Sequence, residues 1–380
     1  MQIVQKSIGK PEQLTSQLAT LNMPDASLLL AFGSVAHFSA TGFVDALRSA
    51  CPQAILLGCS TAGEITGDGV EDGSCTLTAI RFDKITASCA STPLAEMADS
   101  YAAGQRLGLQ LAAPDLKSVL VFGPGVEING SALVNGLTAV LGSSMPITGG
   151  LAGDGGAFRQ TFTLGPQGIS DRTVVALGLH GEHLHFGHGS FGGWEAFGPA
   201  RKVTRCAGNV LFELDGEPAL AVYKRYLGEH AKDLPASGLL FPLAMLGEDH
   251  NSIGLIRTIL GIDEAAGSLT LAGEILADGY LKLMHSSTEK LVHGAETAAR
   301  AAAQMLAAPT EQLALLVSCV GRKLVMGGRV DEEVDAVSEV FGKQTVLTGF
   351  YSYGEISPFM PGSSCLLHNQ TMTITCLSED

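Results

Sequence analysis

Apolar residues fall along this chain in two alternating rhythms. Short, almost continuous apolar runs that break into glycine or serine read as buried strands: 27-SLLLAFGS-34, 54-AILLGCS-60, 118-SVLVFGP-124, 312-QLALLVSC-319 and 345-TVLTGFYS-352. Between them, apolar positions spaced three and four apart predict helices over 11–21, 41–50, 98–112, 130–141, 288–307 and 331–341. A first unit thus reads helix 11–21, strand 27–34, helix 41–50, strand 54–60, strand 74–82. A second reads helix 98–112, strand 118–124, helix 130–141, strand 146–150, strand 173–181. A third reads helix 288–307, strand 312–319, helix 331–341, strand 345–352, strand 371–377. Three copies of one helix-strand-helix-strand-strand order predict duplication of a single αβ module.

Helix punctuation agrees. Ser286-x-x-Glu289 reads as a capping box, followed by one apolar stripe of Leu291, Ala295, Ala298, Ala302 and Met305. Asp331, Glu332 and Glu333 load the first turn of the next helix, whose Val334, Val337 and Phe341 face inward before Gly342. Pro218 opens a helix with Leu220, Tyr223 and Leu227 on one face, stopped by Gly228. Residues 182–285 fit the repeat worst. Their strand candidates 209–214, 238–245, 253–260 and 268–275 predict a separate β-rich patch, the last leaving a fourth, eroded copy open. The expected fold is mixed α/β (α+β), in two halves over 1–205 and 206–380.

At 380 residues the chain exceeds the usual single core, which favours two domains. A net charge of −15 leaves no basic face to displace counterions, excluding nucleic acid and anionic membrane as expected partners. Eight cysteines without a C-x-x-C pair, after a polar start lacking a secretory segment, predict a cytoplasmic protein with reduced thiols. No apolar run reaches the roughly 18 residues of a membrane span.

Two distant stretches, 55-ILLGCSTAGEIT-66 and 346-VLTGFYSYGEIS-357, repeat one strand, gap and Gly-Glu-Ile step. A carboxylate there stands at the carboxyl end of a strand, where αβ sheets keep their ligand crevices. Glu64 and Glu355 form the clear pair, and Asp154 in 149-GGLAGDGG-156 is placed as their match. With Tyr351 and Tyr353 they are candidate ligand contacts in a glycine-lined cleft. The competing reading is structural: a carboxylate after a tight turn accepts N–H bonds of its own loop. Signs of catalysis are thin. Cys319 beside Arg322 lacks a Cys-His-Asn set, no G-x-S-x-G elbow occurs, and 121-VFGPGVEINGSALV-134 lacks a phosphate-loop lysine, so Asn129 and Ser131 read as capping a helix N-terminus. A Glu64/Glu355 acid–base pair would make a small hydrolase; the expectation is that the chain is not an enzyme.

The segments GCSTAGEI, GGLAGDGGAF, 192-GGWEAFGPARKVTRCAGNVLFELDGEPALAVYKRYLG-228, 317-VSCVGR-322, 349-GFYSYGEISP-358 and 368-HNQTMTITC-376 resemble the FIST family of bacterial sensory proteins over almost the whole chain. The resemblance implies a ligand-sensing module tied to histidine kinases, diguanylate cyclases or chemotaxis receptors, with small ligands such as amino acids. Within the family, a free-standing chain of this length looks like the NosP branch, which binds haem and passes a nitric oxide signal to a sensor kinase or a cyclic-di-GMP cyclase or phosphodiesterase. Haem needs an imidazole for iron, a dry aromatic wall and cations for the propionates. The stretch 179-LHGEHLHFGHGSFGGW-194 supplies His183, His185, His188, Phe186 and Trp194, with Arg201 and Lys202 following. Period two puts His183 and His185 on one strand face, and His188, just past the strand, is the first choice for the iron. His293 is expected in solvent; His37 and His368 remain alternatives. The leading expectation is a haem-based nitric oxide sensor. The runner-up is a haem-free sensor of an amino acid or small metabolite, with a homodimer left open in either case.

Overall fold

Strands buried on both faces need partners on both edges and cover on both sides, and the way this chain supplies them sets its architecture. The computed structural model describes residues 1–306, 312–360 and 362–380. The first module runs β1 (Gln2–Ile8), α1 (Leu14–Leu18), β2 (Leu28–Gly33), α2 (Val35–Phe38), α3 (Phe43–Ala50), β3 (Ile55–Ser60), a hairpin β4 (Glu64–Thr66) and β5 (Gly69–Glu71), then β6 (Cys75–Arg81). The second repeats it with β7 (Thr86–Pro93), α4 (Ser100–Leu111), β8 (Leu116–Gly123), α5 (Gly130–Leu141), β9 (Ile147–Leu151), hairpin β10 (Thr163–Gly165) and β11 (Gly168–Ser170), and β12 (Thr173–His180).

The third module opens with β13 (Leu184–Phe191) and is then interrupted. The insert holds β14 (Glu195–Ala207), β15 (Val210–Leu214), β16 (Glu217–Pro218), α6 (Ala219–Leu227), β17 (Leu243–Leu246), β18 (Ser252–Arg257), β19 (Ile259–Asp263), β20 (Ser268–Leu271) and β21 (Tyr280–His285). The module resumes with α7 (Thr288–Gln304), β22 (Gln312–Cys319), α8 (Val320–Met326), α9 (Asp331–Phe341), β23 (Thr345–Ser352), hairpin β24 (Gly354–Pro358) and β25 (Cys365–His368), and β26 (Met372–Glu379).

Each module builds four strands of a six-stranded sheet, and a hairpin from another module completes it. The sheet orders are β1-β6-β2-β3-β10-β11, β7-β12-β8-β9-β24-β25 and β13-β26-β22-β23-β4-β5. The exchange is cyclic: the first module's hairpin joins the third sheet, the second's joins the first, and the third's joins the second. In every sheet the central pair is parallel and the rest antiparallel.

One face of all three sheets meets in a shared core, with Leu30 and Phe32 from β2, Leu120 and Phe122 from β8, and Leu315 and Val317 from β22. There Phe32 stacks on Phe350 at 4.8 Å between centroids and meets Phe122 edge-on at 5.5 Å. The opposite faces carry the helices. Burial on both sides is why these strands read as unbroken apolar runs. The central strands approach so closely that one position admits only glycine. A Cβ on Gly58, Gly149 or Gly349 would sit 1.8, 2.0 or 1.9 Å from the carbonyl oxygen of Ala31, Val121 or Leu316, its partner in the neighbouring parallel strand.

The mixed α/β class expected from the sequence is the class observed, at 28% helix and 41% strand. Several details differ. The first two modules begin with strands that the apolar pattern does not show, and the third with one expected only around residues 183–186. The insert is wholly antiparallel, so its Gly-Glu-Ile at 273–275 marks no fourth module, and 182–194 belongs mainly to β13 in the third sheet. The expected strand 238–245 starts as a 3-10 turn, 253–260 splits into two strands, and 268–275 ends at Leu271. Helix α7 is capped at Ser287 rather than Ser286, whose hydroxyl donates to Gly193 O. Met305 lies past its end and is 37% exposed; residue 307, where that helix was expected to finish, is outside the described residues. Residue 205 falls within β14. Among the described residues no helix is long and apolar enough to cross a membrane.

Candidate functional site

The carboxyl ends of β3, β9 and β23, one from each module, join in a closed ring of backbone hydrogen bonds. Gly153 N and Gly155 N donate to Ser60 O and Thr61 O at 2.8 and 3.0 Å. Tyr353 N donates to Leu151 O at 3.2 Å, and Ala62 N and Tyr351 N donate to Tyr351 O and Gly63 O, both at 2.8 Å. Glycines make these approaches fit: a Cβ on Gly153 would lie 2.6 Å from Ala62 N. Above the ring opens a cleft of about 650 Å³, walled by Thr61 and Gly63 from the first module, Asp154 and Gly155 from the second, and Lys323 from the third.

Lys323 is the cation of this cleft. Its ammonium donates to Ala62 O at 2.9 Å and to Asp72, and lies 5.3 Å from the Tyr351 ring centre. Gly63 keeps room for it, since a Cβ there would be 2.5 Å from Nζ. Sequence reading passed over both Lys323 and Asp72. The one available signal was that Lys323 directly follows the 317-VSCVGR-322 strand end, on the same edge as the Gly-Glu turns.

Glu64 and Glu355 are equivalent, each six residues beyond its close-approach glycine. Glu64 accepts from the Thr61 hydroxyl and from Ser74 N and Oγ at 2.9 and 2.8 Å. Glu355 accepts from Ser352 Oγ at 2.7 Å and from Thr371 N and Oγ at 3.1 and 3.0 Å. Both oxygens of each are therefore taken by the chain itself, and each brace pins the start of a hairpin to the approach of its module's last strand. Burial outweighs these donors and pushes both carboxyls up to about 7. Glu64 forms part of the cleft wall while only 1% exposed; Glu355 is fully buried.

Asp154 is not their match. It stands five residues past Gly149, one short of the glutamate position, and closes its own loop by accepting from Phe158 N, Arg159 N and Gln160 N at 2.7–3.0 Å. Burial works against its ionisation, but the Tyr353 hydroxyl and these amides hold its carboxyl below the usual range. Tyr353 stacks on Phe158 at 4.1 Å beside a neighbouring cavity of about 260 Å³. Tyr351 is fully buried; its hydroxyl donates to Glu333, which also pairs with Arg322 at 2.7 Å and accepts from Ser318 Oγ at 2.9 Å.

The histidine cluster does not converge. His183 precedes β13, and both it and His185 pair with Asp380, at 3.0 and 3.3 Å. His188 lies within β13 opposite Thr375, not beyond the strand, and is 3% exposed beside Phe186 at 6.2 Å between rings. Its Nδ1 has no partner among the described residues, and burial lowers its pKa. The other face of β13 is filled by α7: a Cβ on Gly187 or Gly189 would reach Ala302 O or Ala298 O at 2.4 or 2.1 Å. Trp194 Nε1 donates to Gln370 O at 2.8 Å, and Arg201 is held by Tyr226 and Asp215. The candidate wall and propionate partners are thus engaged by other groups, while His188 Nδ1 is left without a partner among the described residues. As held here, Trp194 and Arg201 are not free to serve His188 as haem wall and propionate partner.

The remaining candidates have structural places. His293 is 75% exposed beside Glu296. His37 is buried with Nδ1 2.9 Å from Ser34 Oγ, and burial pulls His368 down to about 4. Cys319 is buried and its thiol pushed far up, which makes it inert. Asn129 caps α5, accepting from Ala132 N at 3.0 Å.

Two family matches cover most of the chain: FIST N domain over residues 27–217 and FIST C domain over residues 219–358. An uncharacterised protein of Methanocaldococcus jannaschii is 27% identical over 306 residues, 71% of this chain; the chain spans about half of that relative, 56% of its length. A solved structure of cyanuric acid hydrolase from A. caulinodans aligns over 100% of this chain and 99% of its own at 12% identity, with a TM-score of 0.39. The chain belongs to the FIST family, whose domains are sensor domains for small ligands in signal transduction.

Proposed function

We propose that this FIST protein is a non-catalytic, haem-free sensor of a small zwitterionic metabolite, an amino acid or similar compound, held in the cleft above the strand-end ring. The observation that carries the reading is Lys323. It is a largely buried cation at a cleft to which all three modules contribute, with Asp72 and Asp154 in the same wall. A ligand carboxylate would replace Asp72 at the ammonium, and a ligand amine would face the carboxylates. Glycine edges let backbone amides approach the rest. A ligand here touches all three modules at once, so its binding free energy biases how their exchanged hairpins sit. Output then goes by contact to a histidine kinase or a cyclic-di-GMP cyclase or phosphodiesterase.

The test is a thermal-shift screen of metabolites on the purified protein. A ligand present at about 100 times its Kd adds about 2.7 kcal/mol to native stability. A saturable rise in Tm with an amino acid, lost in Lys323→Met, is the expected outcome. A parallel titration with hemin distinguishes the haem reading: a saturable Soret band that nitric oxide shifts and His188→Ala abolishes would overturn the proposal.

A further inference from the structure

Arg257 ends β18 with its side chain inside the protein, 3% exposed. Its Nε donates to Glu274 O at 3.1 Å, and its Nη1 to Ile256 O and Leu367 O at 3.2 and 3.1 Å. All three acceptors are neutral carbonyls. Among the described residues no carboxylate comes within ion-pair distance of it, the Glu274 carboxylate acting on it only from farther off, and Nη2 makes no hydrogen bond. The contrast within the molecule is Arg322, fully buried too but paired with Glu333 at 2.7 Å. Buried charges are ordinarily paired, because removing an ion from water without a counter-charge costs several kcal/mol. Burial draws Arg257 down to about 10, so it remains a cation at neutral pH. Its place is also shaped: a Cβ on Gly273 would lie 2.8 Å from Nε, so only glycine lets that backbone lie against the guanidinium.

Arg257 lines a cavity of about 210 Å³ between α5, the insert sheet and β25. Ser131, in the first turn of α5, faces it with a buried hydroxyl that has no partner among the described residues. Asn135 and Glu274 complete the polar set, and Val134, Met245, Leu255 and Leu367 supply apolar wall. We infer that this cavity is a second ligand site, separate from the strand-end cleft, for a small organic monoanion. Its carboxylate sits on the free edge of Arg257 and its short hydrocarbon tail lies against the apolar wall. One guanidinium with the Glu274 carboxylate beside it selects a single negative charge over a phosphate dianion. At about 30 Å³ per water-sized group, the space takes a ligand of roughly seven non-hydrogen atoms.

Isothermal titration of the full chain with sodium isovalerate and sodium hexanoate tests this, with isoamyl alcohol and 1-hexanol as uncharged counterparts. Wild type is expected to bind at least one carboxylate saturably and its alcohol at least tenfold more weakly. Arg257→Lys keeps the charge but loses the planar fork and should weaken carboxylate binding at least tenfold. Asn135→Trp, at an exposed position of α5, fills the mouth without touching the arginine. It should abolish binding while circular dichroism and Tm stay as in wild type, which keeps the test intact should Arg257→Lys fold poorly. No saturable binding of either carboxylate, equal binding of acid and alcohol, or full binding by Asn135→Trp would overturn the assignment.

Discussion

At Glu64 and Glu355 two forces oppose each other. Three donors on each favour the carboxylate; burial favours the acid and prevails, holding both at about 7 against 4.5 for the free side chain. Between those values the folded state carries more protons than the unfolded chain, so stability falls as pH rises through that window. A shift of this size corresponds to a loss on the order of 3 kcal/mol per glutamate above the window. His368 works in the opposite sense, since burial draws it from 6.5 to about 4 and it adds stability as pH rises between those values. His37 and His188 are lowered likewise. The glutamates must therefore be read by difference. Measured by urea unfolding from about pH 5 to about pH 8, wild type should lose several kcal/mol relative to a Glu64→Gln, Glu355→Gln variant. A pH-independent difference would show that the donors, not burial, set the protonation.

At the scale of the strand pair, the three close-approach glycines carry the sharpest expectation. Alanine at Gly58, Gly149 or Gly349 places a methyl group within 2.0 Å of a carbonyl oxygen, and neither strand has a flexible end to yield. Each should cost at least about 3 kcal/mol, the upper range for overpacking. Gly67, with nothing within 4 Å of an added Cβ, is the control, and Gly67→Ala should stay within about 0.5 kcal/mol. Shifts in the urea midpoint decide it. The same strands explain what could be read from sequence. β2, β8 and β22 are covered on both faces and so announce themselves as apolar runs. β4 and β10 span three residues each, too few for a period, and their partners lie in other modules. β13 is legible only at its start, where His183 and His185 alternate with Leu184 and Phe186; the α7 backbone rests on it, so two positions are glycine, and His188 looks as if it lay past the strand end. Beyond its place after the 317–322 strand end, nothing marked Lys323, because Ala62 and Asp72 reach it across separations of 261 and 251 residues.

Across the whole molecule, the exchanged hairpins place each module's stability partly in another's sequence. Ile65 belongs to the first module by chain order, but it is fully buried opposite Gly349 of β23 and packs in one core with Ala298, Val334 and Leu347. Replacing it by alanine should cost about 2–5 kcal/mol. Where that loss appears is the informative part. If the hairpin clasps the third module, native-state hydrogen exchange of Ile65→Ala will show lost protection in β23 and α9 at least as large as in β3, the strand nearest in sequence. Protection lost only over residues 55–71 would mean the hairpin is a passive edge. The first result would also give the strand-end cleft its reach, because a ligand that steadies the turns leading into the hairpins would then steady all three sheets together.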